Sequence, residues 1–145
     1  GYMENINLKK YFQIIPDEQM WHEAVEKAVH PLVNDKCVEA EYKQAIFSNL
    51  KRSGSKFIIS PYIILPHARP EQGVNENAIS VLLLRHSVYF EKSREPIKLI
   101  VILATEDSKS HLQVLRKVAE ILNKNGNITG ILEANSVEAL AQKFA

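Results

Sequence analysis

The sequence predicts an α/β fold, an apolar central sheet with α-helices on its faces. Three observations lead there. Apolar residues at helical spacing occupy both ends of the chain. Between them lie short runs rich in Ile, Val, Leu and aromatic residues, set apart by Pro, Gly, Asn or charged breakers, as strands are. No linker, repeat or low-complexity segment intervenes, so one three-layer domain is expected over residues 3–145, with Gly1 and Tyr2 set aside because they precede Met3.

The elements follow in order. Phe12-Gln13-Ile14-Ile15 is an apolar run compatible with a strand or a helix start. Pro16 punctuates it, and Asp17 is a plausible N-cap for the helix that follows. In that helix Trp21, Val25, Ala28, Val29, Leu32 and Val33 share one face, and Pro31 is expected to kink it or end its first half near His30. A second helix is predicted from about Glu39, with Tyr42, Ala45, Ile46 and Leu50 inward, stopped by Ser53-Gly54-Ser55.

Five strands are then predicted: 57–60, 62–65, 79–84, 88–90 and 97–103. Ile97 to Ala104 is almost continuously apolar, which suits a strand covered on both faces. Helical spacing returns after Asp107-Ser108-Lys109-Ser110, with Leu112, Leu115, Val118, Ala119 and Leu122 inward, and Asn125-Gly126 ends it. Asn127 to Leu132 reads as a further short strand. Asn135-Ser136-Val137-Glu138 has a capping-box pattern and opens a last helix carrying Val137, Leu140, Ala141 and Phe144 inward.

Composition removes several function classes. Of 145 residues, 46% are hydrophobic and 24% charged, the balance of an ordinary globular domain. The net charge of +1, with both signs interspersed, argues against nucleic-acid binding. Cys37 is the single cysteine, so neither an internal disulfide nor a cysteine-based metal cluster can form. No apolar run spans a bilayer and no signal pattern opens the chain, so a cytoplasmic protein without membrane insertion is expected.

Chemistry concentrates at Leu65-Pro66-His67-Ala68-Arg69-Pro70. His67 stands at a strand end, where active-site groups of open α/β sheets gather, between two prolines that stiffen its approach and exit. Imidazole is nucleophilic and largely unprotonated at neutral pH. His111 falls in the first turn of a helix, where the positive end of the dipole disfavours imidazolium and attracts anions. Two neutral histidines near such an end suit a phosphoryl group: one attacks phosphorus and the other stabilises its oxygens. Arg69 is either a phosphate or partner contact or a solvated side chain. His22, His30 and His86 read as solvated or structural. Rival chemistries fit less well. The histidine spacing matches no short-range metal motif, and both a Gly-x-Ser-x-Gly elbow and a Walker loop are absent.

Pro66-His67-Ala68-Arg69-Pro70-Glu71, Gly73-Val74 and Ser110-His111-Leu112 with Leu115 resemble the EIIA domain of the bacterial sugar phosphotransferase system, mannitol/fructose type. Ser80 to Leu84, Val88-Tyr89-Phe90 and Ile97 to Ala104 sit where that family has its central strands, while Trp21 to Val25, Pro31-Leu32-Val33 and Tyr42 match its N-terminal helical region more loosely. The stretch from Pro66 to Val74 is closest to the ascorbate-type sub-branch. The chain departs from it at Gly54 to Phe57, where the sub-branch often has Gly-Pro-Tyr, and at Pro61-Tyr62-Ile63-Ile64, where it has Pro-Gly-Ile-Ala.

The resemblance implies a mixed sheet between helices and a phosphocarrier without metal or organic cofactor. It implies that His67 takes a phosphoryl group from phospho-HPr and passes it to a cysteine of the cognate EIIB, with EIIC served indirectly at the membrane. It implies that His111 stabilises the transferred group and that Nε2 of His67 carries it. Ascorbate or a related sugar is the expected cargo of the system. The alternative expectation is a regulatory EIIA-like domain whose phosphorylation state controls a transcriptional regulator or other partner.

Overall fold

The computed structural model describes residues 7–145; Met3, where the expected domain begins, lies outside the described residues together with Gly1 and Tyr2. Its elements are β1 (Lys9–Ile15), α1 (Trp21–Asn34), α2 (Ala40–Ser53), β2 (Ile58–Ser60), β3 (Tyr62–Ile64), β4 (Ala78–Val88), β5 (Ile97–Ala104), α3 (Ser108–Asn123), α4 (Asn127–Leu132) and α5 (Val137–Gln142), with 3-10 turns at Gly54–Phe57 and Pro70–Gln72.

The sheet is mixed, in the order β1-β4-β5-β3-β2. β1 runs parallel to β4 and β3 parallel to β5, while β4–β5 and β2–β3 are antiparallel. Side-chain alternation divides the core in two. Ala78, Leu82, Leu84, Ile100, Ile102 and Ile64 pack under α1 and α2. Ile79, Val81, Leu83, Leu99, Val101 and Ile63 pack under α3, α4 and α5. The three-layer α/β expectation is met, and β5, buried along nearly its whole length, is the middle strand.

Several local expectations are corrected. The ambiguous run at Phe12 is a strand, β1. Helix α1 starts at Trp21 and not after Asp17, because Glu23 Oε1 reaches back to accept the Met20 N–H at 2.8 Å. Pro31 neither ends nor breaks it. The Lys27 carbonyl that Pro31 leaves without an N–H partner accepts instead from Gln13 Nε2 of β1 at 2.8 Å. The predicted strands 79–84 and 88–90 are joined as far as Val88 in one strand, β4: its pairing with β5 jumps from Leu83–Leu99 to Val88–Ile97 across an irregularity that takes in Arg85, His86 and Ser87, and Tyr89 and Phe90 lie beyond the strand.

Residues 127–132 form a helix, not a strand: Ile128, Ile131 and Leu132 follow helical spacing and pack into the half of the core under α3 and α5. The N-cap of α5 is Ser136, whose side chain accepts from the Ala139 N–H, and Val137 is exposed. The inward face of α3 is Val114, Val118, Ile121 and Leu122, which leaves Leu112 and Ala119 exposed.

Candidate functional site

β3 and β5 point their C-terminal ends to the same edge of the sheet, as parallel neighbours must. The chain leaving β3 stays paired for two more residues, with the Leu103 N–H donating to the Pro66 carbonyl at 3.2 Å. His67 follows directly. The chain leaving β5 turns at once into α3, capped by Asp107, whose carboxylate accepts the Ser110 N–H at 2.7 Å. That hydrogen bond, foremost among several, holds the Asp107 carboxyl below its ordinary range. His111 lies in the turn that this cap secures.

The two imidazoles therefore meet, with ring centroids 4.8 Å apart and planes inclined by 48°. They line a cavity of about 310 Å³ with Asn49, Phe57, Ala68, Arg69, Pro70 and Ser108. All three predicted site residues, His67, His111 and Arg69, are thus brought together, while His22, His30 and His86 lie elsewhere.

The ring of His67 is fixed. Its Nδ1 stands 3.1 Å from the Leu65 carbonyl oxygen, which can only accept, so Nδ1 carries a proton and the lone pair of the neutral ring lies on Nε2. Phe57 meets the same ring edge-on, at 5.1 Å between centroids. The pKa of His111 is lowered, chiefly by burial and secondarily by the charge of His67. The direction matches the expectation from the sequence; the principal cause is desolvation rather than the helix end. Arg69 is exposed, and its N–H donates to Gln72 Oε1 at 3.0 Å, so the backbone beside His67 is held while the guanidinium is left at the rim.

Three lining residues, and one residue behind them, were not singled out as site residues from the sequence. Asn49, Phe57 and Ser108 come from three separate segments and carry no spacing relative to His67. Tyr42, recognised only as a core position, lies behind the site with its hydroxyl on the backbone of Ala68 and Leu103. Its one legible relation to Asn49 is a separation of two helical turns on α2. Among the described residues no group of three or more His, Cys, Asp or Glu side chains is arranged to hold a metal ion. No helix among them is long and apolar enough to cross a membrane.

Comparison with known proteins bears on this geometry. A mannitol-specific cryptic phosphotransferase enzyme IIA component of Escherichia coli is 31% identical over 141 residues, covering 94% of this chain and 96% of the relative. An ascorbate-specific EIIA component of the same organism is 31% identical over 106 residues, 72% of this chain and 69% of the relative. The solution structure of the cryptic mannitol enzyme IIA superposes with a TM-score of 0.84 at 30% identity, covering 92% of this chain and 90% of that one. An Escherichia coli mannitol enzyme IIA solved in complex with phosphorylated enzyme IIB shares the fold, with a TM-score of 0.76 at 20% identity over 91% and 92% of the two chains. The family model described as phosphoenolpyruvate-dependent sugar phosphotransferase system, EIIA 2, matches residues 6–145. With its paired histidines at the end of a mixed sheet, the chain belongs to that family and is a sugar phosphotransferase component of the EIIA type.

Proposed function

We propose that this EIIA component is a phosphocarrier that accepts a phosphoryl group from phospho-HPr on Nε2 of His67 and hands it to the cysteine of a cognate EIIB. The observation that carries the proposal is the Nδ1–H of His67 on the Leu65 carbonyl, which leaves Nε2 as the free nucleophile beside His111. In the first transfer the Nε2 lone pair forms a P–N bond while the P–N bond of the donor phosphohistidine breaks, its electron pair returning to the donor ring. In the second, a thiolate of EIIB forms a P–S bond and the His67 P–N bond breaks, returning the lone pair to Nε2. A neutral His111, kept so by burial, donates an N–H to the equatorial oxygens without requiring a proton to move during the step. Arg69 at the rim meets either the phosphoryl group or the incoming protein.

The fold shared with an enzyme IIA solved bound to phosphorylated IIB supports EIIB as acceptor. Ascorbate or a related sugar is the proposed cargo, supported by the Pro66–Val74 stretch and by the ascorbate-specific relatives. The chain itself would work in the cytoplasm and meet the membrane only through EIIB and EIIC.

The test is direct. The protein is incubated with phosphoenolpyruvate, enzyme I and HPr, and intact mass is followed for an acid-labile, base-stable adduct. The adduct is expected on wild type and absent in His67→Ala. No adduct on wild type refutes the phosphocarrier reading, and an adduct persisting in the variant moves the site away from His67. An adduct that no EIIB discharges favours a regulatory domain instead.

A further inference from the structure

The peptide unit between His67 and Ala68 is gripped at both ends by one helix. Asn49 Nδ2 donates to the His67 carbonyl at 3.1 Å. The N–H of Ala68, on the opposite edge of the same peptide plane, donates to the Tyr42 hydroxyl at 3.1 Å. Tyr42 and Asn49 are two turns apart on α2, so their side chains leave the same face of the helix.

Each gripping side chain is itself held. Tyr42 is 1% exposed and its hydroxyl donates to the Leu103 carbonyl of β5 at 2.6 Å. Burial pushes its pKa up to about 12, which keeps that proton in place throughout the neutral range. Arg52 Nη2 donates to Asn49 Oδ1 at 2.8 Å, so the amide oxygen is engaged and the NH₂ faces His67. With the ring bond from Nδ1 to Leu65, the imidazole is fixed at its peptide and at its ring.

We propose that Tyr42 and Asn49 are positioning residues for the transfer at His67. They set the 67–68 peptide plane and hence the direction in which the imidazole projects toward His111. The proposal rests on the reading of His67 as the phosphoryl acceptor. A tilt of roughly 15° in that plane moves the far ring nitrogen by about 1 Å, and a misplacement of that size costs on the order of 10²-fold in rate.

The experiment compares Tyr42→Phe, Asn49→Asp and Ser80→Ala with wild type. Asn49→Asp keeps the shape and replaces the donor with an acceptor. Ser80→Ala removes a different fully buried hydroxyl, one that donates to the Ala28 carbonyl away from the site, and serves as the control for lost stability. Two readouts are taken: steady-state transfer from phospho-HPr, and ¹⁵N chemical shifts of the His67 ring in the unphosphorylated protein.

Tyr42→Phe and Asn49→Asp are expected to lower kcat roughly ten- to a hundredfold with KM for phospho-HPr held within about twofold. They are also expected to move the His67 ring shifts away from a pure Nδ1–H tautomer. Ser80→Ala is expected to change neither. Ring shifts unmoved in both variants overturn the proposal whatever the rates do, as does an equal loss of rate in Ser80→Ala. Should Tyr42→Phe fail to fold, the half-buried Asn49→Asp decides alone. The ring measurement needs no phosphoryl donor, so a wild type that is never phosphorylated refutes the carrier function while the clamp is still judged.

Discussion

Two glycines with positive φ lend themselves to a paired substitution. Gly73 has φ 123° and ψ 33°, a region nearly closed to L-residues with a side chain. A Cβ there would stand 3.2 Å from Glu39 Cβ and 3.3 Å from the Tyr42 nitrogen, at the start of α2. Gly126, with φ 71° and ψ 0°, is ordinary left-handed backbone, and a Cβ there meets nothing within 4 Å. Ala at Gly126 suffers only the left-handed penalty, about 1 kcal/mol, partly offset by the reduced freedom of the unfolded chain. Ala at Gly73 carries a strained backbone of roughly 1–3 kcal/mol plus the displacement of the exposed Glu39 and of the backbone at buried Tyr42, about 1 kcal/mol more. The expected losses are about 3 kcal/mol for Gly73→Ala and about 0.5 kcal/mol for Gly126→Ala. At about 3 °C per kcal/mol for a chain of this size, that separates the midpoints by roughly 7 °C. Thermal unfolding followed by circular dichroism reads the difference. Midpoints within 2 °C of each other would refute the argument from crowding and backbone strain together.

Other outcomes follow from the site. His111→Ala is expected to slow phosphoryl transfer on the order of 10²-fold while leaving affinity for EIIB unchanged, measured by single turnover and by titration; an unchanged rate removes His111 from the mechanism. The lowered pKa of His111 also has a stability consequence. The unfolded chain binds this proton more readily than the folded one, so the contribution is complete above pH about 6.5 and is lost as pH falls toward the folded value. Urea midpoints are therefore expected to drop between pH 7.5 and 5.5 by less in His111→Gln than in wild type, and equal drops would contradict this origin. At the β2–β3 turn, exposed Tyr62 has φ 72°, so Tyr62→Gly is expected to stabilise the fold by about 0.5–1 kcal/mol in urea unfolding; a loss of stability would show that the tyrosine ring compensates its backbone.

What the sequence made legible depended on whether a residue's role was repeated along the chain. β5 was readable because eight successive positions share one environment. Helices α1 and α2 were readable because burial recurs at helical spacing. The peptide-level events were not. The continuation of α1 through Pro31 rests on Gln13, a distant side chain that happens to satisfy one carbonyl. The extension of β4 to Val88 runs through an irregularity in its pairing with β5 that no hydropathy pattern marks. The stretch 127–132 is too short for period to decide, although Ile128, Ile131 and Leu132 were spaced for a helix. At the site, His67, His111 and Arg69 were legible from chemistry and motif. Tyr42 and Asn49 were not, because their partners are backbone atoms, which every residue has.

The two imidazoles are delivered from opposite sides of the sheet. His67 is braced by α2, seated on one face, and His111 rides on α3, seated on the other. Their apposition thus exists only in a molecule whose two helical layers have both docked. A collapsed chain with one layer still loose would present single histidines, each no more reactive than any in a peptide. For the proposed phosphocarrier, completion of the tertiary structure would in this way be a condition of entry into the relay, and an immature or damaged copy would drain no phosphoryl groups from it.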